Sequence, residues 1–221
     1  MTAPQPIDAK SAILGRIREA LQDGPTPDPV ERTYRRHSEA SRTDVLHQLE
    51  DRLLDYKASV HREDLTTVGA RIGALLGAGA RYVAPAGLDP AWLPADDDAA
   101  GRERLVDGAA GEPLTVRTLD GLDAVVTGST VTCSETGTIF LTGRPGEGRR
   151  ALSLVPDHHV CVVPVESVVE LIPEALERVP TTAVITMISG PSATSDIELV
   201  RVEGVHGPRR LDVILLDTGA A

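Results

Sequence analysis

Five short apolar runs rich in β-branched residues, separated by loops rich in glycine, constrain the fold of this chain more than any other feature of its sequence. They cover residues 124–126, 138–141, 160–163, 184–188 and 213–216. Runs of this length and composition predict β-strands, and near-continuous apolar strands are typical of a parallel sheet that is covered on both faces. We therefore predict an α/β fold with a mostly parallel sheet, helices on both of its faces and a hairpin around residues 135–143.

Segments with helical periodicity alternate with these strands and precede them. The apolar spacing predicts a helix that begins near Ser41 and two more at residues 64–76 and 167–178. Residues 81–85 are predicted to form a strand closed by proline, and the Gly- and Asp-rich residues 96–111 a loop. The first half of the chain thus also alternates between the two kinds of element.

The N-terminal segment has the pattern of a separate arm. Four apolar residues recur there at helical spacing, namely Ile13, Leu14, Ile17 and Leu21. Prolines at positions 25, 27 and 29 follow this helix, and such a segment is extended and cannot continue it. We therefore divide the chain into a helical arm, residues 1–37, and an α/β domain, residues 38–221.

Composition excludes several classes of function. The formal net charge of −11 and an aromatic content of 2% disfavour binding of nucleic acid, which depends on basic and aromatic side chains. The two cysteines, Cys133 and Cys161, are too few for a disulfide framework or a cluster of thiolate ligands. The charged first twenty residues resemble neither a signal peptide nor a membrane span. We expect a cytoplasmic protein without a metal, a cofactor or a membrane partner.

The first loop with possible chemistry contains a single carboxylate among hydroxyl groups and glycine. Glu135 is the candidate nucleophile or general base, and Thr136, Gly137 and Thr138 are candidate contacts for a small anion. The alternative is a plain β-hairpin in which the hydroxyl groups face solvent and Glu135 caps a backbone amide.

The second loop, residues 143–150, combines glycines with arginines. Its candidate is Arg149, because the guanidinium fork matches the geometry of a carboxylate or phosphate. A solvated turn with exposed arginines is the alternative. His158 and His159 follow at the start of a predicted strand, so their side chains are expected on opposite faces.

The third and fourth loops are dense in small donors. The third follows a strand and offers the candidate anion-binding residues Ser189, Gly190, Ser192, Thr194, Asp196 and Glu198. The fourth offers His206 as a candidate acid–base residue, with Gly207 beside it. Tight turns or a capped helix start, and a histidine bonded to a carbonyl, are the alternatives. We predict that the four loops converge at the carboxyl ends of neighbouring strands around a small carboxylate or phosphate.

In combination these loops resemble the lactate-utilisation protein C family, whose module is called the LUD domain. The resemblance is carried by the segments 134–138, 148–149, 154–160, 188–198 and 204–208, and it extends to the N-terminal helix. It implies a sheet of the NagB/RpiA/CoA-transferase-like kind and an accessory or regulatory role beside iron–sulfur partner subunits that oxidise L-lactate to pyruvate.

The resemblance to CoA transferases leaves a second hypothesis open. Their catalytic glutamate lies in a Ser-Glu-Asn-Gly motif, and Ser134-Glu135-Thr136-Gly137 is similar, with threonine in place of asparagine. On this hypothesis the chain is an enzyme in its own right and uses Glu135.

Overall fold

The computed structural model describes residues 8–22, 24, 28–95, 98–108, 111–194, 202–204 and 206–219, without the side chains at 193–194 and 202–203. Its helices are α1 Ala9–Ala20, α2 Arg42–Asp55, α3 Val68–Leu76, α4 Val116–Asp120 and α5 Ile172–Glu177. Its strands are β1 Ser59–Asp64, β2 Arg81–Pro85, β3 Glu103–Asp107, β4 Ala124–Thr127, β5 Val131–Cys133, β6 Thr138–Leu141, β7 His158–Pro164, β8 Val168–Val169, β9 Thr186–Ile188, β10 Ala193–Thr194, β11 Val202–Glu203 and β12 Arg210–Asp217.

The chain divides into two units, residues 1–35 and 36–221. The first contains α1, whose apolar side chains Ile13, Leu14 and Ile17 are exposed. The second contains every other helix and strand. The predicted boundary after residue 37 lies two residues beyond this division.

A six-stranded sheet forms the centre of the second unit, in the order β1-β12-β7-β4-β2-β3, and all of its neighbouring strands are parallel. This confirms the predicted parallel sheet. Alternate residues of β12 pack in opposite directions: Val213 belongs to the same cluster as Leu53 of α2, whereas Ile214 belongs to the same cluster as Ile72 of α3. Helices therefore cover both faces, as predicted.

A second, four-stranded sheet in the order β8-β5-β6-β9 was not predicted. It contains the predicted hairpin, because β5 and β6 are antiparallel neighbours and residues 134–137 form the turn between them. Ile139 and Leu141 of β6 share a buried cluster with Leu211 and Val213 of β12. The small sheet is thus attached to the large one by apolar packing.

Two predicted helix boundaries and one predicted loop were wrong for identifiable reasons. The helix predicted at residues 167–178 begins only at Ile172, because Val168–Val169 pair with β5 as strand β8. The helix predicted at residues 64–76 begins at Val68, since β1 continues to Asp64. The loop predicted at residues 96–111 contains β3, whose partly polar residues pair with β2.

A loop of residues 143–148 lies across the carboxyl ends of β2 and β4. The backbone N–H of Gly87 donates to the carbonyl of Pro145 at 3.2 Å, and the N–H of Gly128 donates to the carbonyl of Gly146 at 2.9 Å. The buried carboxylate of Glu147 holds the loop, since it accepts from the backbone N–H of Thr142 at 2.6 Å. This part of the second candidate loop is therefore tied to the sheet.

Candidate functional site

A cavity of about 340 Å³ lies between β9 and the first residues of β7 and β12. Its polar lining consists of Arg150, Ser153, His159, Thr186, Ser189, Ser192 and His206, and its apolar lining includes Leu154, Ile188, Pro191, Pro208 and Leu211. The cavity is therefore lined by residues of the second, third and fourth candidate loops and by residues that directly follow these loops.

The cavity lies at the opposite ends of the parallel strands from those predicted. His159 and Leu211 are the second residues of β7 and β12, so the site touches the amino ends of these strands. The prediction of the carboxyl ends was wrong because the third loop leaves β9, which belongs to the small sheet, and the fourth loop leads into β12.

Ser189, Gly190, Ser192, His206 and Gly207 line the cavity together. The hydroxyl of Ser192 accepts the backbone N–H of His206 at 2.9 Å, and its own N–H donates to the carbonyl of Pro208 at 2.8 Å. The third and fourth loops are therefore bonded to each other. Gly190 has a φ of 88°, and a Cβ there would lie 2.6 Å from the Cβ of Tyr56, so only glycine fits.

Thr136, Gly137 and Thr138 lie behind the cavity wall and not in it. The hydroxyl of Thr138 shares hydrogen bonds of 2.8 Å with the hydroxyl groups of Ser189 and Thr136. These threonines can orient the Ser189 hydroxyl. Gly137, with a φ of 60°, makes the turn and passes close to Arg52.

The structure brings His206 to the cavity wall but not Glu135. Glu135 is half-buried in the hairpin turn, where its backbone N–H donates to the carbonyl of Glu170 at 3.1 Å. Its carbonyl accepts from the Arg52 guanidinium at 3.2 Å. The geometry gives the two candidate catalytic residues no shared site.

Adjacent arginines separate at the end of the second loop. The Arg149 guanidinium binds Asp107 through two hydrogen bonds, of 2.9 and 3.2 Å, and also donates to the carbonyl of Leu114. Arg149 does not line the cavity, whereas Arg150 does. Within the described part of the chain, no hydrogen bond or ion pair engages the Arg150 guanidinium.

His158 and His159 have their side chains on opposite faces of the sheet, as the strand pattern predicts. Nε2 of His159 shares a 2.8 Å hydrogen bond with the Thr127 hydroxyl on the cavity side. Burial, helped by the charge of His158, lowers the pKa of His159 to about 3, so this imidazole is neutral at pH 7. The sequence did not show which of the two histidines reaches the cavity.

On the other face, His158 belongs to a cluster around the buried carboxylate of Asp212. Asp212 accepts from His61 and His158, each at 2.8 Å, and from Arg210 at 2.7 Å. Burial alone would raise the pKa of Asp212, but these hydrogen bonds and the charge of Arg210 outweigh it and lower the pKa to about 2. The cluster joins β1, β7 and β12.

The remaining candidates of the third loop are not part of this geometry. Asp196 and Glu198 lie outside the described residues, as does the side chain of Thr194.

Among the described residues, no group of three or more His, Cys, Asp or Glu side chains could hold a metal ion. Burial raises the pKa of the Cys161 thiol to about 12, which keeps it protonated. In the same described part, no helix combines the length and the apolar character needed to cross a membrane.

Comparison with known proteins finds several relatives named lactate utilization protein C. The sequence profile of the LUD domain matches residues 109–216. A protein of Deinococcus radiodurans named lactate utilization protein C is 44% identical over 209 residues, which cover 93% of this chain and 90% of the relative. The Bacillus subtilis protein of the same name is 34% identical over 99 residues, 41% of each chain.

A solved structure agrees with the fold. The crystal structure of a DUF162 family protein from Deinococcus radiodurans has a TM-score of 0.67 and 39% sequence identity, and the match covers 80% of this chain and 99% of that chain. These matches and the parallel sheet point the same way: the chain belongs to the lactate utilization protein C family and contains its LUD domain.

Proposed function

We propose that this chain is a cytoplasmic accessory or regulatory subunit of an iron–sulfur system that oxidises L-lactate to pyruvate, and that it binds a small carboxylate in the cavity beside β9. The name of the relatives supports a role in lactate utilization. The two buried cysteines support the assignment of any cluster to partner subunits, because they are too few to ligate one.

One observation carries the anion site: a guanidinium, hydroxyl groups and an imidazole meet in a single cavity. Arg150 supplies the positive charge, and Ser189 and Ser192 supply hydroxyl donors. We assign to Arg150 the anion contact that was predicted for Arg149, because the Arg149 guanidinium is hydrogen-bonded to Asp107. A local cation in a chain of net charge −11 favours a small anion over a polyanion.

Calorimetric titration with L-lactate and with pyruvate tests the site. We expect Arg150→Ala to weaken binding by about 10- to 100-fold, the effect of losing one charge-assisted hydrogen bond. Arg149→Ala is the matched control, because it removes the neighbouring guanidinium and leaves the cavity lining intact. Affinity should also fall as salt rises. Equal losses in the two variants would contradict the assignment of the cavity.

Purification of the tagged chain from cells grown on lactate tests the complex. We expect partners to co-purify that contain iron and sulfide, in a fraction absent from cells grown without lactate. Recovery of the chain alone, together with normal growth on lactate after its gene is deleted, would contradict the accessory role.

A further inference from the structure

We infer that the ligand of the cavity is a monocarboxylate with an apolar body of several carbon atoms, bound with its carboxylate at the mouth and its body on the floor. This rests on the proposed anion site and specifies which carboxylates fit it. A three-carbon hydroxy acid would use only the outer part of the cavity.

The mouth of the cavity is polar and accessible. Arg150, Ser189 and His206 are exposed and line it. Arg150 is the one lysine or arginine among the described residues that line the cavity, so the site offers a single full positive charge. One guanidinium matches one carboxylate, and a dianionic phosphate would be left half compensated.

The floor carries no charge and combines apolar side chains with the buried polar side chains of Ser153 and His159. Leu211 is buried, and Ile188 packs against the same buried cluster. Leu154, also in the lining, comes within 3.7 Å of the position that a Cβ on Gly207 would take, so it closes the wall below the fourth loop. Contact between these side chains and a hydrated anion is not favourable. Burial of a methylene chain or a ring against them is favourable, because it removes apolar surface from water.

His159 adds a polar contact to the floor without adding charge. It is buried, and its Nε2 is occupied by Thr127, which leaves Nδ1 as the ring nitrogen available to a ligand. Because burial keeps the imidazole neutral at pH 7, it can orient one polar atom of the ligand but cannot attract a second anionic group.

The volume of the cavity supports the same conclusion. At about 340 Å³ it reaches the lower end of the range, roughly 300–1,000 Å³, in which proteins bury drug-sized ligands. A carboxylate of only three carbons would leave apolar wall exposed to water or unfilled, whereas an acyl or aryl carboxylate would cover it.

A series of straight-chain carboxylates tests the inference by calorimetry: acetate, butyrate, hexanoate and octanoate, with L-lactate for comparison. We expect affinity to rise about fourfold with each methylene group that reaches the floor, and then to level off. Arg150→Ala should weaken every member by a similar factor and leave the dependence on chain length unchanged. Leu154→Ala should reduce that dependence and leave acetate binding nearly unchanged.

The possible results separate this inference from the proposed function. If acetate and lactate bind but hexanoate binds no more tightly, the anion site stands and the apolar body is overturned. If no carboxylate binds to folded protein, the proposed site itself fails. Should Leu154→Ala not fold, the chain-length dependence of the unmodified protein decides the question alone.

Discussion

Asp212→Asn should destabilise the protein strongly, because it replaces a buried carboxylate that accepts several hydrogen bonds. The side chain of Asp212 is 1% exposed and accepts hydrogen bonds from His61, His158 and Arg210. Its pKa falls from 3.8 to about 2, a shift that corresponds to roughly 2–3 kcal/mol of folding free energy. For a unit of this size the melting temperature should drop by about 5–10 °C.

The matched control is Asp157→Asn. Asp157 also accepts from an arginine at 2.7 Å, but its side chain is 56% exposed and that of Arg209 is 64% exposed. Surface pairs of this kind contribute about 0–1 kcal/mol. Urea denaturation followed by circular dichroism at pH 7 compares the two variants, and equal losses of stability would refute the argument from burial.

The dependence on pH provides a second check. Because the pKa of Asp212 is lower in the folded than in the unfolded chain, its contribution is complete above about pH 4 and is lost as the pH falls towards 2. The difference in stability between the unmodified protein and Asp212→Asn should therefore shrink to about half between pH 5 and pH 3. A difference that stays constant over this range would contradict the cause assigned here.

Two further predictions concern the whole chain. Deletion of residues 1–37 should leave a cooperative thermal unfolding transition. The deletion retains Ser38, which donates hydrogen bonds to Glu170 and Glu174. An insoluble or non-cooperative product would show that the arm belongs to the core. Elemental analysis and a visible spectrum of the purified chain should show no iron, zinc or flavin, and stoichiometric iron after anaerobic purification would contradict the accessory role.

The sequence predicted those parts of the fold that local composition determines. The bounds of β2 and β6 match the prediction because their apolar β-branched residues are flanked by turn residues. Strand β3 was missed because its first residues, Glu103 and Arg104, are exposed at the edge of the sheet and carry no apolar pattern. The second sheet was missed because pairing between distant strands leaves no local signal.

The candidate site was predicted in composition but not in position. The hydroxyl groups, glycines and histidine of the third and fourth loops do line one cavity. The sequence could not distinguish Arg149 from Arg150, because the direction of each side chain depends on the turn that Gly148 makes with a φ of 70°. Nor could it show that Thr138 supports Ser189, since that contact depends on the register between β6 and β9.

The loop of residues 143–148 lies at the edge of the sheet where parallel sheets ordinarily receive ligands. In the sheet, β2 and β4 are parallel neighbours. The strand that follows β2, β3, lies on one side of this pair, and the next strand of the sheet after β4, β7, lies on the other side. The crevice beyond the carboxyl ends of such a pair is the usual binding position in these folds. Two amides that could hold an anion there, those of Gly87 and Gly128, are instead saturated by carbonyls of the loop. The loop therefore removes two donors from the usual anion position of the sheet, in agreement with a candidate site that lies beside β9 instead.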